Sequence, residues 1–179
     1  MTDTESFPLQ RVFNVADLKP EGVDFTVETT PEERAALAAF LDLPAIHALT
    51  GAFHLSGNDR RVTVRGDVRA AIVQTCTVSL EPFDASVHEE VEVMFADPEL
   101  PQAEPREPRD PESELDAPDD LIDGQIDLGA LTAEFLALGL DPYPRKPGVE
   151  FLYDDGVAGN ESPFAALSGL KQAVSGNKE

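Results

Sequence analysis

Between Ala48 and Phe95 the apolar residues recur at every second position, and a stretch that long is satisfied only by extended chain with one face turned inward. Val62, Val64, Val68, Ala70 and Ile72 hold one side of it, while Arg61, Thr63, Arg65, Asp67 and Arg69 hold the other. Gly66 interrupts the series and predicts a bulge or bend. Further on, Val87, Val91, Val93 and Phe95 alternate with His88, Glu90, Glu92 and Met94. The polar face is basic in the first run and acidic in the second, so the two are expected to pair as antiparallel neighbours.

Upstream, Leu9 to Val15 and Gly22 to Val27 read as short strands. Thr30, Pro31 and Glu33 then form a helix start: an N-cap, a proline at the first helical position and a glutamate at the third. A helix is predicted from Pro31 to Leu43, stopped by Pro44, with Leu37, Phe40 and Leu41 on its apolar side. His47 falls in the segment that follows.

Asp97 to Asp123 breaks with everything before it, having six prolines, eleven carboxylates and only Arg106 and Arg109 as cations. Such composition cannot bury enough apolar surface to offset ordering, so a disordered acidic linker is expected. Beyond it, Asp127 is placed to cap a helix running from near Leu128 to Leu140. Leu128, Leu131, Phe135 and Leu138 recur at helical spacing there, and Leu136 and Leu140 widen the face, which is expected to be core. Asp141 to Gly148 carries three prolines and should form a stiff ribbon presenting Tyr143, Arg145 and Lys146 outward. The competing role for Arg145 and Lys146 is to neutralise the carboxyl end of the helix. A Gly-rich loop from Gly156 to Asn160 and a last helix start at Ser162 and Pro163 follow, with Phe164, Leu167 and Leu170 on one side.

The fold class expected is α+β: an antiparallel curved sheet or partial barrel, helices packed on one side, and an acidic disordered linker. In residue terms this is a core over 1–96, a linker over 97–123, a helical segment over 124–172 that packs on the core, and a disordered tail over 173–179.

Thirty-five carboxylates against 13 lysines and arginines give a net charge of −22, which repels phosphate backbones and favours a basic protein partner. The first residues lack a signal-peptide pattern and no run reaches the roughly 18 apolar residues of a membrane span, so a cytoplasmic protein is expected. A single cysteine, Cys76, excludes an internal disulfide and any multi-cysteine metal site within the chain. None of His47, His54 and His88 is spaced to activate it, so a buried, inert thiol is expected. Glu89 and Glu90, as strand neighbours, point to opposite faces and form no acid–base pair. Arg61, Arg65 and Arg69 repeat at about 13 Å, from roughly 3.3 Å per residue. That spacing suits contacts along an RNA backbone, and it equally suits pairing with Glu90 and Glu92 across the sheet.

Four segments, VRGDVRAAIVQTCTVSLEPF, the VEVMF strand, IDLGALTAEFLALGLDPYPRKPG and SPFAALSGLK, occur in an order that resembles the YceD family over roughly residues 10 to 172. These are bacterial proteins linked to the accumulation of large-subunit ribosomal RNA. Many members carry Cys-x-x-Cys where this chain has Cys76-Thr77-Val78-Ser79, so a zinc site is not expected to carry over. The resemblance implies a non-enzymatic factor supporting accumulation or maturation of 23S ribosomal RNA, without metal or cofactor. Combined with the charge, it points to contact with a basic ribosomal protein or an rRNA maturation factor through Tyr143, Arg145 and Lys146, with rRNA reached indirectly or weakly and no membrane involved. The alternative is direct RNA binding through Arg61, Arg65, Arg69, Arg145 and Lys146. A metal-dependent nuclease ranks third, because it would need carboxylates that converge only in space.

Overall fold

The computed structural model describes residues 8–99 and 118–150. Most of the acidic stretch, the Gly156–Asn160 loop, the segment with Phe164, Leu167 and Leu170, and the 173–179 tail lie outside the described residues.

Long strands dominate, as the alternation requires. β3 (Ala45–Asn58), β4 (Arg61–Thr75) and β5 (Pro82–Ala96) run antiparallel in one meander. The turn from β3 to β4 is a two-residue loop, Asp59 and Arg60, closed because Asn58 Oδ1 accepts the N–H groups of both Arg60 and Arg61 at 3.0 Å. β2 (Val23–Glu28) pairs with β3 on one side. On the other, β6 (Asp119–Asp120) adds to the end of β5 in parallel, giving the order β2-β3-β4-β5-β6. The sheet is therefore mixed rather than purely antiparallel, and open, with β2 and β6 at its edges. A second, two-stranded sheet joins β1 (Val12–Asn14) to β7 (Gln125–Asp127). The first expected strand is shorter than Leu9 to Val15, because Asn14 Oδ1 takes the N–H of Ala16 and turns the chain into a 3-10 turn over Val15–Asp17.

α1 (Pro31–Phe40) starts as predicted, with the reciprocal Thr30 and Glu33 capping bonds both present. It ends earlier than Leu43, and Pro44 is not what stops it. Asp42 adopts a left-handed φ of 55°, and the N–H groups of Asp42 and Leu43 close onto the carbonyls of Ala39 and Ala38. That is the hydrogen-bond pattern of a Schellman cap, here built on aspartate instead of glycine. Leu37 and Ala38 are buried, whereas Phe40 is 62% exposed and so does not belong to the helix's buried side.

α2 (Leu128–Leu138) covers the apolar face of the meander, with Leu128, Leu131 and Leu136 buried and Leu138 left out at 69% exposure. The helix touches β1 through β5. It can settle this low because β3 carries glycine under it: a Cβ on Gly51 would lie 2.5 Å from Thr132 Oγ1 and 2.7 Å from the Phe53 ring. Val62, Val64, Val68 and Ile72 of β4 are fully buried, matching the predicted inward set.

Gly66 is not a bulge. Both ladders of β4 pass through it without a register shift, and the irregularity in β3 falls at His47, between Ile46 and Ala48. The glycine is instead a close approach, since a Cβ there would strike the carbonyl oxygen of Ala52 and come within 2.9 Å of the Phe53 Cα. Because the obstacle is backbone in mid-ladder, it cannot swing aside. Gly66→Ala is expected to lower the unfolding free energy by about 1–3 kcal/mol, the usual cost of overpacking. Urea denaturation measures this; a loss below about 0.5 kcal/mol, the level of an ordinary surface change, would show the strands are not so close.

Candidate functional site

The proline ribbon that follows α2 is fastened to the turn between β4 and β5. Asp141 Oδ1 accepts the N–H of Tyr143, turning the chain back on itself. The buried Gln74 donates its Nε2 to the Asp141 carbonyl at 3.2 Å. Thr77 donates both its N–H and its hydroxyl to the Pro144 carbonyl, at 2.9 and 3.2 Å. Lys146 Nζ reaches Glu81 at 2.8 Å, a contact that lowers the pKa of the carboxyl and raises that of the amine.

Exposure along the ribbon alternates as a result. Pro144 and Lys146 are partly buried against the turn, while Tyr143, at 74% exposure, and Arg145 face solvent. Arg145 makes no ion pair or hydrogen bond among the described residues. Neither cation caps α2, whose last turn is closed by the N–H groups of Gly139 and Leu140 on the carbonyls of Phe135 and Ala137. Of the three ribbon residues singled out in the sequence, Lys146 thus anchors, and Tyr143 and Arg145 are displayed.

Sequence reasoning missed the turn's own contribution. Leu80 is held at a left-handed φ of 59° and is 75% exposed, a conformation that costs an L-residue about 1–2 kcal/mol. A large apolar side chain is thus kept outside at that cost on the turn the ribbon clasps. No local pattern marks it, because the pairing of ribbon and turn spans 65 residues between Glu81 and Lys146.

Cys76 lies at the root of this turn, fully buried as expected, but it is not an ordinary thiol. The Ser79 hydroxyl, then the main-chain N–H groups of Ser79 and Lys146, bring its pKa down to about 6, while loss of water acts in the opposite direction. No histidine takes part: His47, His54 and His88 sit on exposed positions beside Asp84, Asp24 and Asp67, at 3.5, 2.7 and 3.8 Å. Serine three residues on, where relatives in the resemblance carry a second cysteine, was the available clue.

The arginine ladder is largely neutralised in place. Arg65 binds Glu92 through Nε and Nη2 at 3.0 and 2.6 Å, the predicted cross-strand pair. Arg69 turns to Asp67 at 2.6 Å instead. Glu90 does not pair with the ladder, because the register sets it opposite Asp67, carboxylate against carboxylate. Arg61 has no ion pair among the described residues. It stands at the opposite end of β4 from the ribbon, some 46 Å along the strand at about 3.3 Å per residue. The ladder and the ribbon are therefore two places, not one site. Among the described residues no three His, Cys, Asp or Glu side chains are grouped to hold a metal ion, and no helix is long and apolar enough to cross a membrane.

The fold is thus a sheet covered by one apolar helix, with a proline ribbon returned to a strand turn. Residues 64–171, more than half of the chain, match the model of a family described as large ribosomal RNA subunit accumulation protein YceD. The chain belongs to the YceD family, an accumulation-factor family and not a known enzyme family. No curated protein and no solved structure matches it.

The lowered Cys76 pKa carries a stability signature. Between pH 6 and 9 the unfolded thiol holds a proton that the folded one has released, so its contribution rises with pH through that window and vanishes as pH falls through 6. Urea midpoints taken at pH 5.5 and 8.5 should therefore rise more in the wild type than in Cys76→Ala. Equal pH slopes in the two proteins would rule out a thiolate in the folded state.

Proposed function

We propose that this protein is a non-enzymatic, cytoplasmic factor that supports the accumulation and maturation of 23S-type ribosomal RNA by holding a basic ribosomal protein or an rRNA maturation factor. Leu80, Tyr143 and Arg145 form the contact, and Lys146 keeps it in register. The observation that carries this reading is the ribbon: it is pinned by Gln74, Thr77 and Glu81, so little conformational entropy remains to be lost when a partner docks. Tyrosine and arginine on a preorganised surface are the residue types that dominate binding energy at protein interfaces. A net charge of −22 draws in a cationic partner from a distance and holds off free RNA.

Direct RNA binding through Arg61, Arg65, Arg69, Arg145 and Lys146 is the second reading. What favours it is the exposed, unpaired state of Arg61 and Arg145 among the described residues. Against it stand the ion pairs of Arg65, Arg69 and Lys146, which an RNA backbone would have to displace.

Affinity purification of the tagged protein from its own lysate at about 0.15 M salt, where exposed charges are screened beyond ~8 Å, should recover a large-subunit protein or maturation factor. Tyr143→Ala with Arg145→Ala should reduce that recovery by about tenfold or more, the loss of one hot-spot cluster. Recovery of no large-subunit component rejects the proposal. Neutralising Glu104, Glu107, Asp110, Glu112, Glu114 and Asp116 to Gln or Asn, which keeps the length of the parallel connection from β5 to β6, separates the two readings. Binding to a basic partner should weaken, whereas direct RNA binding would strengthen and show a steep salt dependence.

A further inference from the structure

Away from the ribbon, where β6 leaves the sheet, the chain builds a second surface. Phe95 and Ala96 pair with Asp119 and Asp120, the Leu121 N–H bonds the Ala96 carbonyl at 2.8 Å, and the chain then turns through Asp123 and Gly124, both at positive φ, into β7 and α2. The turn stands off from the helix and leaves a groove of about 240 Å³ between them. Its floor is apolar, with Phe95 and Leu131, and Ile122 forms a wall that is 67% exposed. Its rim is acidic: Asp119 and Asp120 from β6, and Glu134 from the exposed side of α2.

Several carboxylates elsewhere in the fold are neutralised from within. Glu33, Asp67, Glu81, Glu92 and Asp97 each hold an arginine or lysine of the same chain. Asp119, Asp120 and Glu134 hold none among the described residues. An apolar floor inside an acidic rim selects its occupant by charge and shape. A phosphate or an acidic peptide is repelled, and a neutral apolar ligand would strip water from the rim without replacing its hydrogen bonds. The volume lies below the roughly 300–1,000 Å³ of small-molecule and cofactor sites. A long cationic side chain fits both parts: its methylenes lie on Phe95 and Leu131, and its guanidinium or ammonium meets the rim.

We infer that this groove binds an arginine- or lysine-bearing segment of the cationic partner, so that Asp119, Asp120, Glu134 and Ile122 form its docking site. The inference rests on the reading that the partner is a basic protein, and it says where on this chain the basic segment lands.

The test is fluorescence anisotropy of the full chain with a labelled peptide alternating arginine and alanine, at about 0.15 M salt. Three variants are compared with wild type. One removes the rim (Asp119→Asn, Asp120→Asn, Glu134→Gln), one removes the same charge elsewhere (Asp17→Asn, Glu21→Gln, Glu32→Gln), and Ile122→Ser changes the wall without altering charge. The rim variant should bind about tenfold more weakly, the remote variant less than about threefold, and Ile122→Ser about threefold or more. Equal weakening by the two charge variants, or an unchanged Ile122→Ser, overturns the groove, because binding then follows net charge alone. The purification experiment keeps the two ideas apart. If wild type recovers a large-subunit protein and the rim variant recovers it equally well, the groove is wrong and the function stands; if wild type recovers none, the function is wrong whatever the peptide does.

Discussion

A three-stranded meander with one apolar face cannot exist alone in water, and in this protein α2 is the helix that covers that face. The rest of the architecture follows from getting that helix to its place. Its first turn is fixed by one carboxylate oxygen: Asp127 Oδ1 accepts the N–H groups of Gly129 and Ala130 as an N-cap and, at 2.8 Å, the N–H of Arg11, the residue just before β1. Arg11 then carries the connection on. Its guanidinium grips Glu33 at 2.8 and 2.9 Å, holding that carboxyl below the usual range, and Glu33 is also the residue that closes the α1 capping box. Both helix starts are thus tied through Arg11, the single residue that leads into β1.

Seating α2 has a consequence at its other end. Its C-cap, Gly139, comes so close to β5 that a Cβ there would lie 2.5 Å from Val87 Cγ1 and 2.7 Å from the Glu89 side chain. The chain leaving the helix is therefore delivered beside the β4–β5 turn, where Gln74, Thr77 and Glu81 receive it. Proline keeps the ribbon extended, and the turn supplies the donors and the carboxylate that fix its register. The two fix each other: Thr77 and Glu81 come from the turn, the Pro144 carbonyl and Lys146 from the ribbon.

What was legible in the sequence is what depends on neighbours in the chain. The inward set of β4, the Thr30 and Glu33 capping box and the Asp127 N-cap are each decided within a few residues, and each was found. The Arg65 and Glu92 pair was also within reach, since two alternating runs of opposite charge define complementary faces. The pairing of Glu90 was not, because only the register, set by the six-residue turn between Thr75 and Pro82, puts Asp67 opposite it. Leu138 and Phe40 failed for a related reason: periodicity gives the apolar side of a helix but not how far the sheet beneath it extends. Asp42 replaced Pro44 as the helix stop because aspartate tolerates the left-handed conformation and turns the chain two residues before the proline. β6 is two residues long in an acidic, proline-rich context, and no pattern distinguishes it from linker. The coupling of Cys76 to Lys146 needs the tertiary return of the ribbon and could not be seen at all.

The cations of this chain show how charge and architecture are connected. In so acidic a protein the cheapest use of an arginine or lysine is to neutralise a nearby carboxylate; Arg11, Arg60, Arg65 and Lys146 do this where segments distant in sequence meet, and Arg69 does it within its own strand. Each such pair is exposed and screened by solvent, so their value lies in fixing register more than in stability. That leaves carboxylates in excess on the surface, and where they gather over apolar floor, as between β6 and α2, the field is not cancelled internally. The cations that align the fold therefore leave a surface whose remaining carboxylates are not compensated from within the described residues.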